Sequence, residues 1–202
     1  MAEDLDWFSA RLHHHLDAHV SVTDVQVQLL FSHYELLVRW NRKMNLTSIR
    51  SPEEIVVRHY CESLFFAAHV PLGWGDFADI GSGAGFPGVP MAIFRPDWKV
   101  TLVDSHQRKA VFLRECTRSL TNVKVDARRA EALDRSFGAV VSRAVDSEMI
   151  LSLLPRLGSR VGLLIGSPDF DRLRPSMIWE SVRPVPWGDR LLCVFGCVPR
   201  GT

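Results

Sequence analysis

Cysteine is scarce in this chain of 202 residues, and its four occurrences stand singly. There is no Cys-x-x-Cys pair, and Cys193 and Cys197 fall in an apolar run typical of a strand. Because a free cysteine behaves as a small buried hydrophobe, we expect buried thiols rather than a disulfide or a metal site. Three consecutive histidines, His13 to His15, do not indicate a metal site either, because successive helical residues point about 100° apart.

Long apolar runs are also missing, and none approaches the roughly 20 residues that a membrane-spanning helix needs. The first six residues, Met-Ala-Glu-Asp-Leu-Asp, are acidic and lack the basic and apolar regions of a signal peptide. The sequence therefore predicts a cytoplasmic protein with no membrane partner, and we expect it to be a monomer.

A strong excess of charge of one sign is absent as well, since the formal net charge is +1. The distribution is uneven, because residues 1–38 carry six acids against the single base Arg11. A nearly neutral chain cannot hold naked nucleic acid by charge alone. An RNA partner would have to be bound by shape or through a local basic patch.

The stretch from Phe77 to Gly88 is the most informative part of the chain. An apolar run containing Asp79 is followed by Gly81, Gly83 and Gly85, and then by an apolar segment with helical spacing. This pattern predicts a buried strand, a tight turn that brings bare backbone close to a ligand, and a helix whose first N–H groups point at that ligand.

A second strand-like run, Val100 to Val103, ends at Asp104, which lies 21 residues after Gly83. An acid at the tip of the second strand is where the hydroxyl groups of a ribose would be bound. The alternative is that Asp104 caps the helix that follows, and both roles are compatible.

The spacing of the glycines separates two classes of cofactor. Gly81-Ser82-Gly83-Ala84-Gly85 is Gly-x-Gly-x-Gly, whereas a dinucleotide fold has Gly-x-Gly-x-x-Gly, and no Gly-Lys-Ser/Thr is present to hold a triphosphate. A zwitterionic aminoacyl group needs backbone donors and acceptors with a nearby acid, and Asp79 suits that ligand. The sequence therefore predicts a site for S-adenosylmethionine, with NAD(P) as the second choice.

Three helices are predicted before the first strand. They span residues 4–19, Thr23 to about Trp40, and Ser51 toward His69, and Thr23 and Ser51 are suitable N-cap residues. We expect residues 1–70 to form a helical layer for substrate recognition, and residues 71–202 to form a cofactor-binding core in the same compact unit.

Strands and helices alternate after residue 76. Strands are predicted at 77–80, 100–103, 123–125, 139–142 and 161–165, with helices at 86–94, 107–120 and 146–157, the last disturbed by Pro155. Residues 168–175 are predicted to be a loop or a broken helix, and 180–186 and 191–198 an antiparallel pair. The predicted fold is α/β, a Rossmann-like, doubly wound and mostly parallel sheet with an antiparallel edge hairpin.

Further polar residues follow the third and fourth strands, where a ligand of an open α/β sheet binds. Glu131, or the backbone beside it, could meet an adenine amino group, and Arg143 would face the mouth of the pocket. The alternatives are a solvated carboxylate for Glu131 and a surface salt bridge for Arg143.

Seven short motifs have a more specific pattern, within a stretch that runs from about Leu36 to Arg143 and more loosely to Val198. They are Trp40-Asn41-x-x-x-Asn45-Leu46-Thr47, Val57-Arg58-His59 followed by Ser63, Asp79 to Pro90, Leu102 to Ser105, Lys109-x-x-Phe112-Leu113-Arg114, Arg129 to Glu131, and Ser142 to Ala144. In these motifs the chain resembles the glucose-inhibited division protein B family, the bacterial methyltransferases that modify a guanine N7 of 16S ribosomal RNA.

The resemblance implies an S-adenosylmethionine-dependent class I methyltransferase whose partner is 16S ribosomal RNA or the small ribosomal subunit. By resemblance, Gly81, Phe86, Ala130, Glu131 and Arg143 contact the cofactor. Together with the residues of the glycine turn and the tip of the second strand, the residues expected to bind the cofactor are Asp79, Gly81, Ser82, Gly83, Gly85, Phe86, Asp104, Ser105, Ala130, Glu131 and Arg143. Those expected to line the acceptor side are Asn45, Arg58 and His59, although His59 could equally be a helix residue packed on the sheet. No catalytic residue or metal ligand is predicted.

The chain departs from the family pattern at two positions. Ile165 precedes Gly166 where the family usually has lysine, and Glu62 stands where aspartate is common. The missing cation motivates an alternative function, a ribosome-associated relative that binds the cofactor without catalysis. An NAD(P)-dependent oxidoreductase is a further alternative, disfavoured by the spacing of the glycines.

Overall fold

The computed structural model describes residues 3–143 and 145–199. Its centre is a seven-stranded sheet with the order β3-β2-β1-β4-β5-β7-β6. The strands are β1 (Asp76–Ile80), β2 (Lys99–Val103), β3 (Val123–Asp126), β4 (Ala139–Arg143), β5 (Arg160–Gly166), β6 (Ile178–Pro184) and β7 (Leu191–Cys197). The first five strands are parallel, and β7 pairs antiparallel with both β5 and β6. The predicted doubly wound sheet with an antiparallel edge hairpin is confirmed.

The strand order reverses between β1 and β4, which lie side by side with Ile80 opposite Ser142. A crevice opens at such a reversal, outside the carboxyl ends of the strands. The glycine turn follows β1, so the sheet places this turn in the crevice, beside the end of β4.

Eight α-helices are present in the described part of the chain. They are α1 (Leu5–Leu16), α2 (Asp24–Asn41), α3 (Pro52–Ile55), α4 (Glu62–Ala68), α5 (Gly88–Phe94), α6 (Gln107–Cys116), α7 (Ser147–Leu157) and α8 (Ser167–Leu173). The cap signals act as expected: Thr23 and Gln26 form a capping box, and Ser51 accepts a hydrogen bond from the Glu54 N–H. None of the described helices is both long and apolar enough to cross a bilayer.

The third predicted helix is not uniform. Residues Val56–Cys61 form a π-helical segment between α3 and α4, so one continuous rod contains a wider turn. Because such a turn inserts an extra residue, it changes the direction in which the following side chains point. Arg58 and His59 lie in this segment.

Other boundaries also differ from the predictions: α6 ends at Cys116 instead of residue 120, and β6 spans Ile178–Pro184 instead of 180–186. The glycine turn continues through Phe86 and Pro87, so α5 begins at Gly88 instead of residue 86. Pro155 does not break α7, since it lies inside the helix, which continues to Leu157. The stretch after β5 is a helix, α8, with Pro168 in its first turn, where a missing N–H is tolerated.

Two apolar clusters cover the two faces of the sheet. Phe77 and Val141 pack with Leu64 and the other buried residues of the N-terminal helices, whereas Ala78 and Ile80 face the cluster that contains α7 and α8. Alternate residues of β1 therefore point to opposite faces, as in any strand. The N-terminal helices form part of the layer on one face of the sheet.

A buried histidine connects these helices to the glycine turn. The His33 Nε2–H donates to the carbonyl oxygen of Ala84 at 3.0 Å, and its Nδ1 accepts from the Tyr60 hydroxyl at 2.8 Å. The tautomer follows because a carbonyl oxygen can only accept. Burial lowers the pKa of His33 to about 4, so the ring is neutral at pH 7 and links α2 and the π segment to the turn.

This link predicts an acid-sensitive stability. Between pH 6.5 and about 4, His33 binds a proton in the unfolded chain but not in the folded one. The free energy of unfolding therefore decreases as the pH is lowered through this range. A lowering of this size corresponds to a loss on the order of 3 kcal/mol at about 1.36 kcal/mol per pKa unit. His33→Gln, whose amide can still donate to Ala84, is expected to flatten the dependence.

Urea denaturation of both proteins at several pH values across that window measures the difference. Burial also lowers the pKa of His59, to about 3, so the variant is expected to retain part of the slope. Identical slopes in the two proteins would contradict the role given to His33.

Candidate functional site

The glycine turn depends on backbone conformations that side chains disfavour. Gly81, Gly83 and Gly85 have φ values of +73°, +57° and +91°. A Cβ atom at Gly81 would also collide with the side chain of Val145, and one at Gly85 with that of Val89. The alternating glycines thus allow the chain to turn sharply between β1 and α5.

Ser82 connects this turn to β2 through hydrogen bonds. Its hydroxyl donates to the Asp79 carbonyl oxygen at 2.8 Å and accepts from the Val103 N–H at 3.0 Å. The N–H groups of Gly81 and Ser82 donate to the Val103 carbonyl oxygen. Since Ser82 is buried, its side chain has a structural role in this arrangement.

Asp104 contacts the turn from the tip of β2. Its Oδ2 accepts from the Gly83 N–H at 2.9 Å, and its Oδ1 accepts from the His106 N–H at 2.8 Å. The N-cap of α6 is His106, so Asp104 forms a turn before the helix and is not the cap. Each carboxylate oxygen can accept a further hydrogen bond, which leaves capacity for two hydroxyl groups.

A cavity of about 400 Å³ lies beside Gly81 and Asp104. Its lining comes from the ends of β1 to β3, the 3₁₀ turn at Ala130–Ala132, and α6 and α7: Ile80, Gly81, Val103, Asp104, Ser105, Lys109, Arg128, Arg129, Ala130, Glu131, Val145 and Met149. Five residues expected to bind the cofactor are therefore brought together, namely Gly81, Asp104, Ser105, Ala130 and Glu131.

Asp79, Ser82, Gly83, Gly85, Phe86 and Arg143 do not line this cavity. Asp79 lies beneath the turn, fully buried, where its Oδ2 accepts from the Gly88 N–H at 3.1 Å and its Oδ1 has no hydrogen-bond partner among the described residues. Burial raises the pKa of Asp79 to about 7. The carboxyl group supports the first turn of α5.

Phe86 belongs to a second cluster, toward the N-terminal helices. Its ring stacks on the His59 imidazole with 4.6 Å between centroids and 17° between planes. The His59 Nε2 lies 2.9 Å from the Thr47 hydroxyl, while Nδ1 is buried without a partner in the described part of the chain. Burial, assisted by the Arg143 charge, lowers the pKa of His59 to about 3, so the ring is neutral at pH 7.

Arg143 forms an ion pair with Glu62, a partner that the sequence did not indicate. Its Nη2 lies 2.9 Å from the Glu62 Oε2, and the Arg58 Nε lies 2.9 Å from the other carboxylate oxygen. The Glu62 side chain is 0% exposed and that of Arg143 only 15%. The salt bridge considered for Arg143 therefore exists, but it is buried instead of at the surface, and Nη1 has no hydrogen-bond partner in the described region.

The two clusters flank the glycine turn. Arg143 follows Ser142, which is paired with Ile80, so Arg143 and Gly81 lie next to each other at the carboxyl end of the sheet. Asn45 is separate: it is exposed, and its Oδ1 accepts from Arg50 at 3.3 Å. Ala144, which ends the last motif, lies outside the described residues.

Sequence reasoning missed His33, Tyr60 and Glu62. A signal for His33 was available, because it lies on the apolar stripe of α2 between Leu30 and Leu37, where a polar side chain needs a buried partner. No comparable signal identifies Glu62, since its two partners come from the π segment and β4.

Solved structures of methyltransferases have a similar fold. A putative RNA methyltransferase from Pyrococcus horikoshii matches with a TM-score of 0.56 at 16% identity, covering 87% of this chain and 100% of that one. Magnesium protoporphyrin IX methyltransferase from Synechocystis matches with a TM-score of 0.58 at 12% identity, covering 87% and 99%. At these identities the likeness concerns the fold.

Sequence comparisons are more specific. The chain is 46% identical over 172 residues to the ribosomal RNA small subunit methyltransferase G of Xylella fastidiosa, covering 80% of each protein. It is 45% identical over 133 residues to the protein of the same name from Nitrosomonas europaea, covering 63% of this chain and 61% of that protein. Residues 26–166 match the family described as GidB, rRNA small subunit methyltransferase G, and the chain belongs to that family.

Proposed function

We propose that the protein transfers a methyl group from S-adenosylmethionine to the N7 atom of a guanine in 16S ribosomal RNA, acting on the RNA or on the small subunit. One observation carries this proposal: a single cavity contains Gly81 of the turn, Asp104 at the tip of β2, and Ala130 and Glu131 after β3. Family membership supports the choice of substrate. Such a substrate would place the protein in the cytoplasm, and residues 1–70 would contribute to recognising it.

The residues present fit the cofactor. The free lone pairs of Asp104 suit the two ribose hydroxyls, and the Glu131 segment lies in the same cavity for the adenine. Arg143 lies beside the turn but outside the cavity, and its buried Nη1, unpartnered among the described residues, is the group that would meet the carboxylate of the aminoacyl group. A volume of about 400 Å³ is within the range of small-molecule sites.

The chemistry requires positioning more than proton transfer. S-adenosylmethionine supplies a methyl group activated on a sulfonium sulfur. Because guanine N7 has a free lone pair, no proton has to be removed and no general base is needed. The chain therefore needs to hold the two reactants in line, which can contribute several kcal/mol.

The cluster around Phe86 supports an acceptor role for neighbouring residues. The buried His59 is neutral, and its Nδ1 has no hydrogen-bond partner among the described residues, so a base that reached the ring would meet no added charge beside the sulfonium. Arg58 is exposed at the edge of this cluster, where it can reach a phosphate, although Glu62 neutralises part of its charge. Asn45 lies farther out on the loop that follows α2.

A second candidate function is a relative that binds the cofactor but does not catalyse. The observation that favours it is Ile165, which is buried in the apolar cluster of α7 and α8 where the family usually has lysine. Turnover separates the two candidates, since both predict binding.

Methyl transfer to small subunits from a strain that lacks the modification tests the proposal. Incorporation of labelled methyl is expected, and primer extension after chemical cleavage at N7-methylguanine should stop at one guanine of 16S RNA. Binding of S-adenosylhomocysteine without any transfer would leave the non-catalytic candidate, and absence of both would reject both candidates.

Asp104→Asn is expected to weaken binding of S-adenosylhomocysteine by about tenfold to a hundredfold. Hydrogen bonds to a charged group are worth roughly 1.5–3 kcal/mol. The asparagine amide also replaces one acceptor oxygen by an NH₂ group, which would face either the Gly83 N–H donor or the ribose. Titration calorimetry measures the change. Asp97→Asn, which removes an exposed carboxylate just before β2 at the opposite edge of the sheet and outside the cavity, is the matched control and should bind normally. Equal affinities for the two variants would contradict the ribose contact.

A further inference from the structure

A second cleft, of about 500 Å³, lies between the end of α2 and α6. Its lining consists of Arg39, Trp40, Lys43, Met44, Arg108 and Val111. None of these residues has a role in the cofactor cavity or in the cluster around Phe86. The cleft combines three cations with an apolar wall.

Two of the three cations are available to a ligand. Lys43 and Arg108 are exposed, and neither has a carboxylate within ion-pair distance among residues 3–143 and 145–199. Arg39 differs, because its Nη2 lies 2.8 Å from Glu115. The segment from 39 to 50 contains four bases and no acid, so its field is positive.

The apolar wall offers a flat surface beside these cations. The Trp40 ring is partly exposed, and its inner side packs edge-on against Phe112 at 5.7 Å, which fixes its orientation. Val111 is 51% exposed, so its apolar side chain is accessible beside the Trp40 ring. Bases stack on such surfaces while cations hold the phosphates, an arrangement typical of sites for single-stranded nucleic acid.

The cleft is connected to the cofactor cavity through one helical turn. Arg108 lines the cleft, whereas its neighbour Lys109, also in the first turn of α6, lines the cofactor cavity. The two cavities therefore lie on either side of the same turn. An RNA chain that presents one base near the cofactor can reach the cleft with an adjacent nucleotide.

We propose that this cleft binds a nucleotide of the substrate RNA other than the methylated guanine. Lys43 and Arg108 bind its flanking phosphates, and Trp40 with Val111 contacts the base. This inference rests on the proposed function for the identity of the RNA. It also explains how a chain with a net charge of +1 gains affinity for RNA, since the cations are concentrated at one place.

A pair of charge-matched double variants tests the cleft. Lys43→Gln with Arg108→Gln removes its two free cations, and Lys99→Gln with Lys124→Gln removes two exposed, unpaired lysines from β2 and β3 outside both cavities. Binding of a fluorescent single-stranded 16S RNA fragment is measured by anisotropy across a range of salt concentrations, without cofactor. The cleft variant should bind at least tenfold more weakly than the control, with a salt slope lower by about 1.4, at about 0.7 per lost phosphate contact.

Val111→Glu gives an independent measurement. The side chain is half exposed, so the fold is expected to tolerate the change, and the new carboxylate should repel the RNA. Methyl-transfer kinetics are measured for the wild type and for every variant. In the cleft variants KM for RNA should rise, while kcat and the affinity for S-adenosylhomocysteine should equal those of the wild type.

Two results would overturn the cleft as an RNA site. One is equal RNA binding by the cleft and control variants. The other is a defect of the cleft variants on assembled subunits with normal binding of free RNA, which would make the cleft a site for a protein. Failure of the proposed function is distinguishable, because wild-type protein would then bind no S-adenosylhomocysteine or transfer no methyl group, whatever the anisotropy of RNA shows.

Discussion

The hydrogen bond from the Gly83 N–H to the Asp104 carboxylate is the contact on which the site depends. It joins the turn after β1 to the tip of β2, and it fixes the orientation of the carboxylate before any ligand arrives. The second bond, from the His106 N–H, holds the other oxygen, so the side chain cannot rotate away. A carboxylate restrained in this way has already lost the rotamer entropy that binding would otherwise have to overcome.

The surroundings of this turn contain more buried polar groups than a core designed only for stability would hold. Asp79, His33, His59 and Glu62 are all largely or fully buried, and burial raises the pKa of the two carboxyl groups and lowers that of the two imidazoles. Each group therefore opposes folding at some pH. Folded Asp79 keeps its proton up to about pH 7, whereas in the unfolded chain it ionises above pH 3.8. The free energy of unfolding therefore decreases as the pH rises from 3.8 to about 7. Asp79 accepts from the Gly88 N–H and His33 donates to the Ala84 carbonyl oxygen. These hydrogen bonds offset part of the cost of burial and hold the turn in place.

What the sequence predicted well depends on neighbours in the chain. The glycine turn, the position of Asp104 and the caps at Thr23 and Ser51 follow from spacing and local chemistry, and the structure places them as expected. The π segment and the Glu62 pair with Arg143 could not be predicted, because they depend on how the rod of α3 and α4 packs against the end of β4. The roles of Asn45, Arg58, His59 and Arg143 in binding stay predictions.

The Glu62 pair also bears on the family difference at that position. Glutamate is one methylene longer than aspartate, and here it is completely buried between two guanidinium groups, which lower its pKa against the effect of burial. Removing Glu62 would leave the buried Arg143 guanidinium without a counter-charge, and removing Arg143 would leave the buried carboxylate with only the half-exposed Arg58. Arg143 is consequently held by Glu62 on the side of the N-terminal helices, and its Nη1 is buried without a hydrogen-bond partner among the described residues. The helices that precede the sheet thus hold the cation beside the glycine turn through Glu62, as they hold the turn itself through His33.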